Sequence, residues 1–218
     1  MNRFINAVLL FFTLITAFIA IYVGFDLPIS FLRTTGAYLQ NVDEIFLGLG
    51  VLMFMIVLRR SYRRWMAIRI VSKTAKFKWS ASVSSQRKKR IYTYTSLEIV
   101  VYTFGALGLY FLTDRAWVPA IALSFAVLDN IILLTATRYF RVALSSKALI
   151  VADREVVLLY FKGLRKVTIH QQTVYFDYIK DLQLSFPTNC IEPKDQEAFF
   201  ELLKAQFNPD KVYFTARK

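Results

Sequence analysis

The chain has 218 residues, of which 56% are hydrophobic, with a mean hydropathy of +0.42 and a formal net charge of +13. This composition is too apolar for an ordinary soluble domain and indicates an integral membrane protein. A single cysteine, Cys190, excludes an intrachain disulfide framework, and a single histidine, His170, excludes a metal site built from several histidines.

The first apolar segment extends from Phe4 to Phe25 and is long enough to cross a bilayer as a helix. A secretory signal peptide is the alternative, but the apolar core is longer than such peptides have and no clean small-residue cleavage site follows it. A connection over residues 26–40 leads to a second predicted span over residues 41–58. Residues 1–58 are therefore predicted to form a first transmembrane hairpin.

Residues 59–90 form a basic segment that contains no Asp or Glu, and we predict that this segment is a cytoplasmic loop because such charge resists translocation. Its first half interleaves aromatic and basic residues, which favours a helical extension of the second span along the membrane surface. Its SASVSSQ stretch is predicted to be a flexible linker. Alternatively, these charges only fix the orientation of the chain in the membrane and bind no ligand. The cations predicted to contact anionic lipid head groups are Arg59, Arg60, Arg63, Arg64, Arg69, Lys73, Lys76, Lys78, Arg87, Lys88, Lys89 and Arg90.

Residues 91–140 are predicted to form a second transmembrane hairpin, with spans over Ile91–Leu112 and Trp117–Phe140 and a very short turn between them. Four crossings from a cytoplasmic N-terminus place both termini and the basic segment inside, and leave one arginine in each external connection. We therefore predict a multi-pass protein of the plasma (inner) membrane. The glycines predicted to let neighbouring helices pack closely are Gly48, Gly50, Gly105 and Gly108.

The most informative polar residue in the spans is Asp129, which lies near the middle of the fourth span and is followed by Asn130. Glu98 lies in the third span, nearer its cytoplasmic end. An intramembrane acid is costly unless it is paired or protonated. It is therefore either a functional site, for proton or ion transport or for docking a cation on a partner's helix, or a hydrogen-bonded acid that fastens the chain's own helices.

The pattern changes after Arg141, where short runs of β-branched and aromatic residues alternate with turn signals. An amphipathic helix is predicted near residues 194–207, since its apolar residues recur at helical spacing. Residues 141–218 are therefore predicted to form a cytoplasmic small β-barrel or sandwich with a C-terminal helix. The seven predicted strands are YFRVAL, KALIVA, EVVLLYF, LRKVTIH, QTVYFDY, DLQLSF and NCI.

The segments KALIVADREVVLLYFKGLRKVTI and CIEPKDQEAFFELLKAQF, behind a membrane hairpin, resemble the bacterial pleckstrin-homology-like (PH-like) domains of small membrane proteins, over roughly residues 91–207. The resemblance implies a PH-like fold in which Phe199 and Leu203 close the barrel, and a binding or oligomerising module in preference to an enzyme. The turn that corresponds to the lipid-binding loop of eukaryotic relatives, Leu144–Lys147, carries only one cation. The resemblance therefore does not imply phosphoinositide binding by that route.

The fold class predicted from the sequence is membrane α plus β: four transmembrane helices followed by a PH-like domain. The predicted function is that of a non-enzymatic accessory or scaffold subunit, without cofactor or metal. Its expected partners are anionic lipids and other membrane proteins or further copies of the chain, with no nucleic acid. The alternative is a transport or channel component that uses Asp129 and Glu98. A lipid-modifying enzyme is disfavoured, since clustered His, Asp or Ser residues are missing from the sequence.

Overall fold

The computed structural model describes residues 2–29, 33–154, 156–179, 182–207 and 212–217. Its helices are α1 (Asn2–Gly24), α2 (Val42–Val71), α3 (Ser85–Leu112), α4 (Trp117–Thr135) and α5 (Pro193–Ala205). Its strands are β1 (Pro28–Ile29), β2 (Thr34–Thr35), β3 (Trp79–Ser82), β4 (Arg141–Leu144), β5 (Ala148–Ala152), β6 (Val157–Tyr160), β7 (Leu164–His170), β8 (Thr173–Tyr178), β9 (Gln183–Pro187) and β10 (Tyr213–Arg217).

The chain divides into two compact units. The helical unit comprises Met1–Arg63 and Tyr92–Thr135, and the β unit comprises Arg64–Ile91 and Ala136–Lys218. The division falls inside α2 and α3, so each of these helices contributes residues to both units. Helices followed by sheets agree with the predicted helix-plus-sheet class.

The helical unit is built around one apolar core to which all four of its helices contribute. Leu9 of α1, Phe46 of α2, Leu109 of α3 and Leu123 of α4 are each almost completely buried in it. The side of α4 that faces this core carries the small residues Ala120, Ala122 and Ala126, which let neighbouring helices approach closely.

Three helical segments are long and apolar enough to cross a membrane: Phe4–Gly24, Ser85–Leu112 and Asp114–Tyr139. They agree with a membrane protein and with three of the four predicted spans. α2 is not among them. Its uncharged run from Ile45 to Leu58 has 14 residues, which is about 21 Å at ~1.5 Å per residue, against a hydrocarbon thickness of about 30 Å.

The basic segment 59–90 is mostly regular secondary structure instead of a loop. α2 continues to Val71, in line with the predicted helical extension, and five of the seven residues of the predicted SASVSSQ linker lie in β3 or at the start of α3. That linker prediction is wrong because Ala81 and Val83 alternate with serines and are buried, which is the period-two pattern of a strand. The serine content hid this alternation.

The β unit contains two four-stranded sheets. One is antiparallel, in the order β3-β4-β5-β6, and the other has the order β10-β7-β8-β9, with β10 parallel to β7. Six of the seven predicted strands correspond to β4–β9. The seventh, NCI, is wrong: Thr188–Cys190 is a single 3₁₀ turn, and the following Ile191 makes only an isolated bridge to Val83.

α5 packs against residues of both sheets through Phe199, which is completely buried. The Phe199 ring lies 5.2 Å from the ring of Trp79 in β3 and 5.7 Å from the ring of Phe186 in β9. Leu203, one turn later, is also completely buried. The helix therefore presents to the core the two residues that the resemblance assigned to it.

The start of α3 is fixed by a carboxylate outside the helix. The backbone N–H and the hydroxyl of Ser85 both donate to Glu192 Oε1, at 2.7 and 2.8 Å. The backbone N–H of Ser85 contributes most to holding the pKa of Glu192 below its usual value, followed by the Ser85 hydroxyl. A lowered pKa means that this contact is present at neutral pH and is lost only as the pH falls through that lowered value.

Two of the four predicted packing glycines lie at close helix contacts. A Cβ at Gly50 would lie 2.7 Å from the backbone nitrogen of Pro119, and a Cβ at Gly105 would lie 3.1 Å from Leu123 Cδ1. At Gly48 and Gly108 a Cβ would meet nothing within 4 Å. Of the four glycines, only Gly50 packs against the backbone of another helix, which can shift less easily than a side chain.

We expect Gly50→Ala to destabilise the helical unit by about 1–3 kcal/mol, because the added methyl group forces α2 and α4 apart. Gly48→Ala is the matched control and is expected to be neutral or to stabilise by up to about 1 kcal/mol through helix propensity. Unfolding of the purified protein in detergent measures both. Equal effects of the two substitutions would contradict the close contact at Gly50.

Candidate functional site: a buried charge cluster

A cluster of charged and polar side chains, which we call the buried charge cluster, joins the four helices of the helical unit. Its central residue, Arg60, is a cation whose side chain is completely buried. The members of the cluster are Asn6 of α1, Arg60 and Ser61 of α2, Glu98 and Tyr102 of α3, and Asp129 and Asn130 of α4.

Arg60 lies between two carboxylates. Its Nη2 is 3.7 Å from Asp129 Oδ2, and its Nη1 is 4.0 Å from Glu98 Oε2. Its guanidinium carbon lies 5.8 Å from the centroid of the Tyr102 ring, within the range of a cation–π contact. The cation therefore compensates the charge of Asp129, whose side chain is only 3% exposed.

Two asparagines connect the cation to Glu98. Arg60 donates to Asn6 Oδ1 at 3.3 Å and to Asn130 Oδ1 at 3.5 Å. The amide nitrogens of Asn6 and Asn130 in turn donate to the two carboxylate oxygens of Glu98, at 2.8 and 3.4 Å. Each asparagine thus uses both its acceptor and its donor within the cluster, which suits a fixed arrangement in a low-dielectric interior.

Ser61 completes the surroundings of the central acid, since its hydroxyl donates to Asp129 Oδ1 at 2.7 Å. The Ser61 hydroxyl therefore adds a hydrogen bond to the carboxylate that Arg60 also faces. The chain's single histidine, His170, lies on β7 in the β unit and is not a member of the cluster.

The structure brings together the three intramembrane residues predicted from the sequence, Glu98, Asp129 and Asn130, and adds a cation that the sequence reading assigned elsewhere. A signal for Arg60 was present. Phe46, Met53, Val57 and Arg60 are spaced by seven, four and three residues, so that Arg60 continues the buried stripe of α2.

The prediction that places Arg60 and Arg64 at lipid head groups is corrected, since each is only 1% exposed. Arg87 also turns inward: its Nε donates at 3.0 Å to Asp153, a completely buried carboxylate at the end of β5. The predicted lipid-binding cations that are exposed on the surface are Arg59, Arg69, Lys73, Lys76, Lys78, Lys89 and Arg90.

The remaining candidates provide no reactive site among the described residues. Cys190 is buried, and in the described part of the chain no three His, Cys, Asp or Glu side chains are arranged to hold a metal ion. Comparison of the chain with protein-family models, curated proteins and solved structures finds no match.

Proposed function

We propose that the chain is a non-enzymatic accessory or scaffold subunit of a membrane complex. In this proposal the helical unit is the anchor, and the β unit binds or organises partner proteins at the cytoplasmic face. Two sheets closed by α5 support a PH-like interpretation of the β unit, with β3 and β10 as additions to the pattern predicted from the sequence.

The observation that supports the membrane topology of this proposal is the pairing of β3 with β4. β3 precedes α3 and β4 follows α4, yet Ala81 pairs with Val142 and Trp79 pairs with Leu144 in one sheet. A chain that leaves this sheet through α3 must therefore return to the same side through α4. This supports a second hairpin of two crossings, with the basic segment and the β unit on one side, and the density of cations makes that side the cytoplasmic one.

The buried charge cluster supports a fourth crossing by α2. Arg60 is the second of two arginines that follow the uncharged run of α2, and its charge is met inside the helical unit by Asp129 and Glu98 and is not presented to lipid. The effective span of α2 thus extends beyond Leu58. With this crossing, both termini lie in the cytoplasm of a plasma-membrane protein.

The same cluster favours an anchor over a docking site for a partner's helix. Asp129 is buried and already contacts a cation and a hydroxyl of its own chain. Breaking these contacts to receive a second cation would leave Arg60 buried beside one carboxylate fewer, which is costly. The proposal therefore places partner recognition on the exposed surface of the β unit.

The test is co-purification of the tagged full-length chain after cross-linking in native membranes and extraction in mild detergent. We expect a stoichiometric partner protein or a defined self-assembly, and recovery of the monomer alone would contradict the proposal. The Asp129→Asn variant distinguishes partner binding through the β unit from docking of a partner's helix at Asp129. If partners bind through the β unit, a folded Asp129→Asn chain retains them, whereas selective loss from a folded chain would support docking at Asp129 instead.

A transport or channel component is the second candidate, and one observation favours it. The Glu98 side chain is 16% exposed, whereas the side chain of Arg60 is completely buried, so one carboxylate of the cluster lies at its edge. Purified protein in liposomes separates the candidates. Proton or cation flux that Asp129→Asn abolishes would support transport, and flux no greater than in protein-free liposomes is expected for an anchor.

A further inference from the structure

A groove of ≈ 240 Å³ lies at the C-terminal end of α2, wholly within the β unit. The last turns of α2 form one wall, and the 3₁₀ turn Thr74–Lys76 with the following residue forms the other. The residues that line the groove are Met66, Arg69, Ile70, Lys73, Lys76 and Phe77.

The lining combines three apolar side chains with three cations and contains no acid. Met66 and Ile70 are four residues apart on one face of α2 and are 39% and 46% exposed, so both side chains are accessible to a bound molecule. Arg69, Lys73 and Lys76 are exposed around them. A groove of this composition is complementary to a molecule that carries both an anionic group and a hydrocarbon chain.

The other nine cations of the basic segment do not line this groove. Arg60 belongs to the buried charge cluster, Arg87 contacts Asp153, and Lys78 and Lys88 donate to Gln206 Oε1 and Ser82 Oγ. The sequence predicted lipid contact for the whole segment. In the structure, three of its cations line one groove together with three apolar side chains.

We propose that this groove binds one anionic phospholipid. Arg69, Lys73 and Lys76 contact the phosphate, for which a guanidinium offers paired N–H donors and the lysines offer point charges. Met66, Ile70 and Phe77 contact the first part of an acyl chain. The inference rests on the proposed membrane anchoring and makes it specific, since it replaces a diffuse attraction to the membrane surface with a defined site.

The experiment is titration of the full-length protein, in an uncharged detergent, with short-chain phosphatidylglycerol, read out by native mass spectrometry. We expect saturable binding of one molecule, and weaker binding of phosphatidylcholine with the same chains. Arg69→Gln/Lys73→Gln/Lys76→Gln should weaken phosphatidylglycerol binding about tenfold or more, since each cation near an anionic surface contributes substantially to attraction. Phe77→Ser should weaken it without changing net charge.

The matched control is Lys162→Gln/Arg165→Gln/Lys166→Gln, which also removes one arginine and two lysines from exposed positions of the β unit. An equal loss of binding in this control would overturn the site, as would equal binding of phosphatidylcholine. Competition by inorganic phosphate at the same concentration as the lipid would show a site for a free anion and overturn the lipid assignment. If the triple variant does not fold, Lys73→Gln and Lys76→Gln singly are compared with Lys162→Gln and Lys166→Gln.

The outcome is distinguishable from that of the scaffold proposal. A partner that co-purifies with a chain lacking lipid selectivity would overturn the groove and leave the scaffold role intact. Saturable lipid binding by a chain that is recovered only as a monomer would do the reverse.

Discussion

Arg60→Met is expected to destabilise the helical unit by about 3–5 kcal/mol, because it removes the cation that lies 3.7 Å from the buried carboxylate of Asp129. The methionine fills much of the same volume, so the loss reports charge more than packing. Equilibrium unfolding of the purified protein in mixed micelles measures the free energy, and hydrogen exchange of α4 amides shows whether the loss is located in the helical unit.

Two variants make this result specific. Arg59→Met removes the neighbouring exposed arginine and is expected to change the free energy of unfolding by about 0.5 kcal/mol or less. Arg60→Met/Asp129→Asn removes both charges and is expected to recover at least half of the loss, since position 129 then carries no buried charge. A double variant that is less stable than Arg60→Met alone would contradict the ion pair.

Arg87→Met is expected to destabilise the β unit by about 3 kcal/mol, at the lower end of the range for a broken buried ion pair because the Arg87 side chain is 14% exposed. Asp153 is completely buried at the end of β5 and loses the cation 3.0 Å from its carboxylate. Hydrogen exchange of the β4 and β5 amides in the full-length protein measures the local change.

Arg90→Met is the control for this second pair. Arg90 lies three residues after Arg87 on α3 and is exposed, so its replacement is expected to leave β5 protection unchanged within about twofold. Equal deprotection in both variants would show that the effect comes from the net charge of the segment and not from the contact with Asp153.

The helices and most strands of this protein follow from local patterns of the sequence. Long apolar runs predict the three helices that are long enough to cross a membrane. Alternating β-branched residues predict β4–β9. Each of these patterns lies within one segment of the chain, because burying one face of a strand, or most of a helix, requires apolar residues at regular positions in that segment.

The elements that were missed depend on partners distant in sequence. β3 forms because Trp79 and Ala81 find β4 more than 60 positions later, and its serines resemble a linker when β4 is not considered. NCI has strand-like composition, but Ile191 has only a single bridging partner in Val83. In both segments, strand formation depends on pairing with residues distant in sequence and not on local strand propensity.

The sequence predicted the acidic and amide residues of the buried charge cluster but missed its cation. Glu98, Asp129 and Asn130 stand out because polar residues in apolar helices are rare. Arg60 and Arg87 were hidden because they belong to a segment rich in cations, where position on the helix face, and not residue type, separates an interior arginine from a surface one. The buried stripe through Met53 and Val57 of α2 is the feature that marks Arg60.

The sidedness of the chain tests the account most directly. In a Cys190→Ser background, single exposed cysteines are placed by Tyr38→Cys, Lys76→Cys, Asp114→Cys and Lys162→Cys, and sealed vesicles of known orientation are treated with a membrane-impermeant maleimide. Positions 76 and 162 are expected to react only from the cytoplasmic side, and positions 38 and 114 only from the opposite side. Reaction of 76 and 162 from opposite sides would contradict the shared sheet and the anchored scaffold derived from it, and reaction of 38 together with 76 would show that α2 does not cross.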